Sequence, residues 1–480
     1  MSTLRLIPQR RENMEKILAS RLSTNRWAVA LAGMVAMMTL GTVYSWSLFT
    51  QPLIAAFGWS NTTTTWAFGI AIFFIGVGAI VGGRWQDRFG PRRAMFIGIG
   101  LWSAGNILTG IGTPTFGPIW LYLTYGIMGG FGVGVGYITP VATVIKWFRH
   151  RRGLAGGLVV TGFGLGAVVY NMVVKSIPAF AAVATGAADY VHARAAAAAD
   201  HDPISLKLHV LSPEGVQVLM NVFIVSGIVF ALLGGLSALL LRNPPQRRAV
   251  DSETGDDGDV SYTTRQMLRT PQFYHLWLIM FVNVLAGILV IGNALPIIQE
   301  LTGVSPQVAA ATYAGTALFN AVGRFFWGAM SDRIGRRSTL ALIFGIQAVV
   351  FLMLGSLHSI PAVACAFAAV LLCLGGGFGT MPSFNADYFG TRHMGANYGA
   401  ILSAWGCAGL VGPLFAAWIK DVSGSFTGAL MPVPILLMAA IILPLIARKP
   451  GAPGNAAIVP AAELDTTCQR DDPLRVPVAQ

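Results

Sequence analysis

Apolar runs of about 20 residues recur from one end of this chain to the other, and they decide more about it than anything else. At 1.5 Å of rise per residue, one such run in a helix crosses a hydrocarbon core of about 30 Å. Within lipid every backbone N–H and C=O must be paired inside the protein, so runs of this length cross as helices. The chain has 480 residues, 54% hydrophobic and only 11% charged, against roughly 25% charged residues in a soluble domain. The expectation is an all-α membrane protein that crosses the bilayer many times.

The crossings are expected at about 27–49, 62–83, 94–112, 119–145, 153–182 and 217–241. After a break they resume at about 273–298, 308–330, 338–357, 361–386, 395–419 and 429–447. The chain then divides into a tail (1–26), a six-helix bundle (27–241), a polar, proline-bearing linker (242–272), a second six-helix bundle (273–447) and a second tail (448–480). The first bundle carries an outward insertion at 183–216, fit for a short helix or a hairpin. The run from Trp27 to Phe49 is too long for a secretory signal and has no small-residue cleavage site, so it is expected to be the first span.

A net charge of +12 raises the question of nucleic acid. Placement answers it. Under this span map, 27 of the 32 Lys and Arg fall in the tails and loops of one side. That bias is the positive-inside pattern and puts both ends in the cytoplasm of a cell with a plasma (inner) membrane. The basic excess records topology, and no nucleic-acid partner is expected. Cys365, Cys373, Cys407 and Cys468 have no metal-like spacing, so neither a metal nor a disulfide is expected. MGGFGVGVGYITP contains G-x-G-x-G but sits inside a membrane-length run. It lacks the strand-to-helix context of a dinucleotide fingerprint and suits close helix packing instead, and no cofactor is expected.

The loop after span two, GGRWQDRFGPRR, returns after span eight as WGAMSDRIGRR. One loop at one place in each half indicates a duplicated bundle about an axis along the membrane normal. With the twelve spans and central linker, these loops resemble the major facilitator superfamily over roughly residues 25–447. GTVYSWSLF, GGFGVGVGYITPVATVIKWFRHRRGLAGG and YFGTRHMGANYGAILSAWG are similar to its oxalate/formate antiporter branch, which includes monocarboxylate carriers. The resemblance implies two six-helix bundles around a central cavity and transport by alternating access.

In each repeated loop an aspartate stands at a helix end near arginines, where it can pair with cations or with the positive N-terminus of a neighbouring helix. Asp87 with Arg88, Arg92 and Arg93, and Asp332 with Arg333, Arg336 and Arg337, are therefore gate candidates, a role drawn mainly from the resemblance. Pro91 stands where the second loop has Arg336, so the two latches need not be equally strong.

Arg324 is different, because it lies inside span eight with no acid near it in sequence. A mid-helix arginine costs about 2.5 to 3.5 kcal/mol on insertion scales. A carboxylate 4 Å away returns about 4 kcal/mol at an effective dielectric near 20, before desolvation, and the guanidinium fork suits carboxylate geometry. The missing partner is then the cargo. Tyr313, Ala317, Asn320 and Arg324 share one helical face, with Asn320 able to hold the guanidinium. The competing reading has Arg324 snorkelling to the basic-side interface. Tyr44, Trp46, Tyr137, Tyr170 and Asn171 are further wall candidates, since each brings a polar group into an apolar span.

In the dicarboxylate exchangers of the branch, the resemblance implies a span-eleven lysine beside the span-eight arginine. Aligning NYGAILSAWGCAG on NYG puts Trp405 there. One intramembrane cation matches one carboxylate, which favours a monocarboxylate such as formate or lactate over oxalate. His275, Glu300 and Asp387 are candidates for proton coupling, with exchange as the alternative. Rival functions are dicarboxylate exchange, export of neutral solutes or drugs, membrane catalysis and solute sensing. Cation export lacks an intramembrane acid, catalysis lacks paired acids or a nucleophile with its base, and sensing lacks a signalling domain.

Overall fold

The computed structural model describes residues 25–200, 211–244, 261–423 and 432–451. Its compact body ends at Pro450, and of the segment that follows only Gly451 is described. The expected N-terminal tail, most of the C-terminal tail, the middle of the linker and Cys468 lie outside the described residues.

Every regular element described is helical. Span one runs Arg26–Gly41, tightens through a 3-10 turn at Thr42–Ser45 and continues as Ser47–Phe57. Span two is Asn61–Phe89. Spans three and four form one continuous stretch, Pro91–Trp147, folded back at Gly117 between Pro114 and Pro118. Gly117 takes φ 70° and ψ −155°, a conformation open to glycine and strained for other residues. Span five is Arg152–Lys175 and span six Pro213–Leu240.

The second half repeats the scheme. Span seven is Pro271–Gly292 with Ala294–Thr302, span eight Pro306–Ile334, span nine Arg336–Leu354 and span ten Ile360–Phe389. Span eleven is Met394–Ser423, and span twelve is Pro432–Ala440 with Ile442–Ile446. Local chemistry sets several starts: Ser212 and Thr270 accept the first free N–H groups, and Pro213 and Pro271 follow them where no N–H is needed. Large apolar side chains such as Leu232, Leu236 and Ile435 face outward, as a lipid-facing surface requires.

Two sequence boundaries shift. Span five ends at Lys175, not near 182, because Ser176 turns its N–H back to Met172 and Val173 and Pro178 starts a new helix, Pro178–Asp200. Residues 183–200 of the expected insertion are thus helical. This helix packs Ala187 and Tyr190 against Ile54 and Ala55 of span one.

The bundles meet along two seams, spans two and eleven on one side and spans five and eight on the other, with glycine on both. A Cβ on Gly83 would collide with the Gly395 carbonyl, and one on Gly157 would lie 2.5 Å from the Arg324 carbonyl oxygen. Backbones this close gain dispersion contacts that substitute for the absent hydrophobic drive between helices in lipid. The repeated loops match in backbone also: Gly90 and Gly335 both take left-handed φ, 84° and 85°.

Candidate functional site

Arg324 is fully buried, so it does not snorkel. Among the described residues it is the only charged side chain buried to this degree. Its Nε donates to Asn320 Oδ1 at 3.3 Å and its Nη1 to the Val160 carbonyl at 3.4 Å, both long bonds. Nη2 has no partner. The guanidinium carbon lies 4.7 Å from the Phe378 ring centre and 5.4 Å from that of Phe163. Two cation–π contacts of about 1 kcal/mol each offset part of the burial cost and leave the charge without a counter-ion.

An aromatic box surrounds this cation. Trp405 packs edge-on against Phe378 at 5.0 Å, Tyr137 at 5.3 Å, Phe163 at 5.6 Å and Tyr44 at 6.0 Å. Tyr44 is delivered by the 3-10 turn of span one, and Gly41 just before it admits the Phe163 backbone. The hydroxyls of Tyr137 and Tyr398 approach each other and the guanidinium without reaching hydrogen-bond geometry. Both oxygens and the Trp405 Nε1 are buried and unpartnered. Four polar groups that can donate, Arg324 Nη2, Tyr137 OH, Tyr398 OH and Trp405 Nε1, therefore share one aromatic enclosure without a well-formed hydrogen bond, the Tyr44 hydroxyl lying near both the guanidinium and Trp405. Buried polar groups are normally paired, and this set suits an anion with several acceptor lone pairs.

Of the wall residues expected from sequence, Arg324, Asn320, Tyr137, Tyr44 and Trp405 come together here. Trp46 does not: its Nε1 donates to the Thr64 carbonyl at 3.1 Å and its ring lies on Tyr125 at 4.5 Å. Tyr170 shares a 2.7 Å hydrogen bond with Ser226 and packs on Phe49 and Phe230. Both side chains are taken up inside the first bundle. Asn171, next to Tyr170, is half-buried with its Oδ1 unpartnered. Phe163, Phe378 and Tyr398 were not anticipated. Tyr398 stands seven residues before Trp405, two helical turns along the same face, which was the available signal.

At the basic end the two repeated aspartates do the same thing. Asp87, on span two, accepts from the backbone N–H groups of Gly395 and Ala396 at 3.2 and 2.8 Å, capping span eleven of the other bundle. Asp332, on span eight, accepts from Gly153 and Leu154 at 2.9 and 2.8 Å, capping span five. Each bundle thus places a carboxylate at the positive helix end of the other.

The side-chain ion pairs differ between halves. Among the described residues Asp87 has only Lys146, at 3.6 Å and within its own bundle. Asp332 pairs with Arg336 at 2.7 Å; Arg336 also reaches Asp387 at 2.9 Å, and Asp387 binds Arg152 of the first bundle at 2.9 Å. Of the expected partners, only Arg336 meets its aspartate. Arg92 donates to the Leu239 carbonyl, Arg337 to the Pro444 carbonyl, and Arg88 lies over the Phe89 ring. Arg93 and Arg333 are exposed. Asp387, a proton-coupling candidate, is engaged in this network, whereas His275 is half-buried with an unpartnered Nδ1 and Glu300 is exposed.

Twelve crossings in two matched halves, cross-capped at one end around a buried polar centre, are the architecture of a membrane transporter. The chain matches the family model described as Major Facilitator Superfamily over residues 29–184 and 276–468. It is 30% identical over 434 residues to the oxalate:formate antiporter of Oxalobacter formigenes, covering 89% of this chain and 93% of that one. It is 26% identical over 384 residues to apicoplast pyruvate carrier 1 of Toxoplasma gondii, covering 71% and 66%. The Escherichia coli fucose:proton symporter shares the fold, with a TM-score of 0.60 at 15% identity and coverage of 89% and 100%. The chain belongs to the major facilitator superfamily and, within it, to the oxalate/formate antiporter family.

Proposed function

We propose that this carrier moves a small organic monocarboxylate by alternating access, with its basic end in the cytoplasm and Arg324 as the principal charge contact. The observation that carries the proposal is the unpartnered Nη2 of a fully buried arginine, set among the unpartnered polar groups of Tyr137, Tyr398 and Trp405. Carboxylate oxygens complete those hydrogen bonds and neutralise the charge together. The aromatic walls suit a short apolar remainder such as that of formate or lactate. The capping aspartates and the Asp387 pairs supply a gate that opens and closes at the basic end.

A single buried cation supports one carboxylate. The relative named an oxalate:formate antiporter supports a second reading, exchange that includes a dicarboxylate. Proteoliposomes loaded with unlabelled formate, lactate or oxalate and supplied with one labelled acid separate the two. Saturable monocarboxylate uptake that oxalate fails to compete supports the first reading, and preferred oxalate counterflow supports the second. Transport that survives Arg324→Ala unchanged removes both.

A further inference from the structure

A cleft opens on the seam between spans two and eleven, away from the enclosed site. Ile80 and Arg84 of span two form one wall, Ala396, Ala400 and Ser403 of span eleven the other. Thr264 and Leu268 of the linker segment and Phe273 of span seven close its end. It lies beside the Asp87 cap, toward the basic end of the seam.

Its polar atoms are already used, except one group. Thr264 donates to Asn397 at 2.9 Å, and Ser403 accepts from Trp277 at 2.9 Å and donates to Ala400 at 2.7 Å. Arg84, which is exposed, has no hydrogen-bond or ion-pair partner among the described residues. The remainder of the wall is apolar. One unpaired guanidinium above an apolar trough has the chemistry of a phosphate headgroup over an acyl chain.

The contrast between seams gives the site a purpose. On the five–eight seam, Asp387 joins Arg152 of the first bundle to Arg336 of the second. At the matching end of span four, Lys146-Trp147-Phe148 stands where span ten has Asp387-Tyr388-Phe389. The two–eleven seam has a lysine where its counterpart has an acid, and among the described residues no side-chain ion pair crosses it. We infer that an anionic phospholipid occupies this cleft, its phosphate on Arg84 and an acyl chain along Ile80, Leu268 and Phe273, and so bridges a seam that no side-chain ion pair crosses among the described residues.

The full-length protein, purified and offered equal phosphatidylglycerol and phosphatidylcholine, is read by native mass spectrometry for retained lipid. Wild type retains phosphatidylglycerol in preference, and Arg84→Ala lowers that retention about fivefold, the worth of one basic residue at an anionic surface. Leu268→Asp, which leaves Arg84 in place and sets a negative charge beside it, lowers it similarly. Millimolar inorganic phosphate leaves retention unchanged. Equal retention of the two lipids by wild type, undiminished retention in Arg84→Ala, or displacement of the lipid by phosphate overturns the inference.

Discussion

The guanidinium of Arg324 lies 4.7 Å from the ring centre of Phe378, and that contact takes the place an acidic side chain fills around most buried arginines. A ring attracts a cation without neutralising it. The centre therefore keeps a net positive charge, on which the proposed carboxylate site rests.

Arg324→Met should separate stability from transport. It removes a burial cost of about 2.5 to 3.5 kcal/mol and two ring contacts of about 1 kcal/mol each, a net gain of about 1 kcal/mol. Thermal unfolding in detergent should show an equal or raised midpoint, while saturable carboxylate uptake into proteoliposomes disappears. A lowered midpoint together with retained uptake contradicts the assignment.

Trp405→Lys sets a second cation beside the first. Under the proposed monocarboxylate preference oxalate competes weakly for labelled monocarboxylate uptake in wild type, and in this variant it should gain at least about tenfold, the equivalent of about 1.4 kcal/mol. Unchanged competition would separate Trp405 from charge selection.

Asp387→Ala breaks the ion pair that Arg152 makes across the bundles at the basic end and removes one of the two carboxylates that Arg336 holds. Ser383, one turn inward and fully buried against Gly156, reports on it. In a Ser383→Cys background, maleimide labelling from the basic side should accelerate severalfold with Asp387→Ala. Asp87→Asn should leave the five–eight seam, and so that rate, much closer to the background.

Gly157→Ala puts a methyl 2.5 Å from the Arg324 carbonyl oxygen, a backbone atom that cannot swing aside. Overpacking of this kind costs about 1 to 3 kcal/mol, and it should depress both the unfolding midpoint and the transport rate. Gly69→Ala meets nothing within 4 Å and serves as the neutral comparison.

The crossings and the duplicated halves were legible because membrane length and the repeated D-R-x-G loops are local signals. Arg324 was legible because a charge inside an apolar run is rare. The box around it was less so: Phe163 and Phe378 look like ordinary apolar filler until distant spans bring their rings to the guanidinium. Trp46 and Tyr170 show the reverse failure, since a polar aromatic in a span satisfies its hydrogen bond locally as readily as it lines a cavity. Asp87 and Asp332 stood out in the sequence, but the groups they accept from are backbone N–H groups in the other bundle, and sequence cannot reveal which helix a carboxylate will cap. The ion pairs of Lys146 with Asp87 and of Arg152 with Asp387 were missed for the same reason.

The reciprocal capping bears on symmetry as well as on mechanism. Asp87 serves Gly395 and Ala396, while Asp332 serves Gly153 and Leu154, so each half gives one carboxylate and receives one. That is the contact pattern of an isologous homodimer, in which a single surface meets its own copy about a two-fold axis. Through these contacts each half meets the other as one copy of a dimer would meet its twin. The match stops at the centre, where only the second half carries a buried arginine and rings from both halves enclose it.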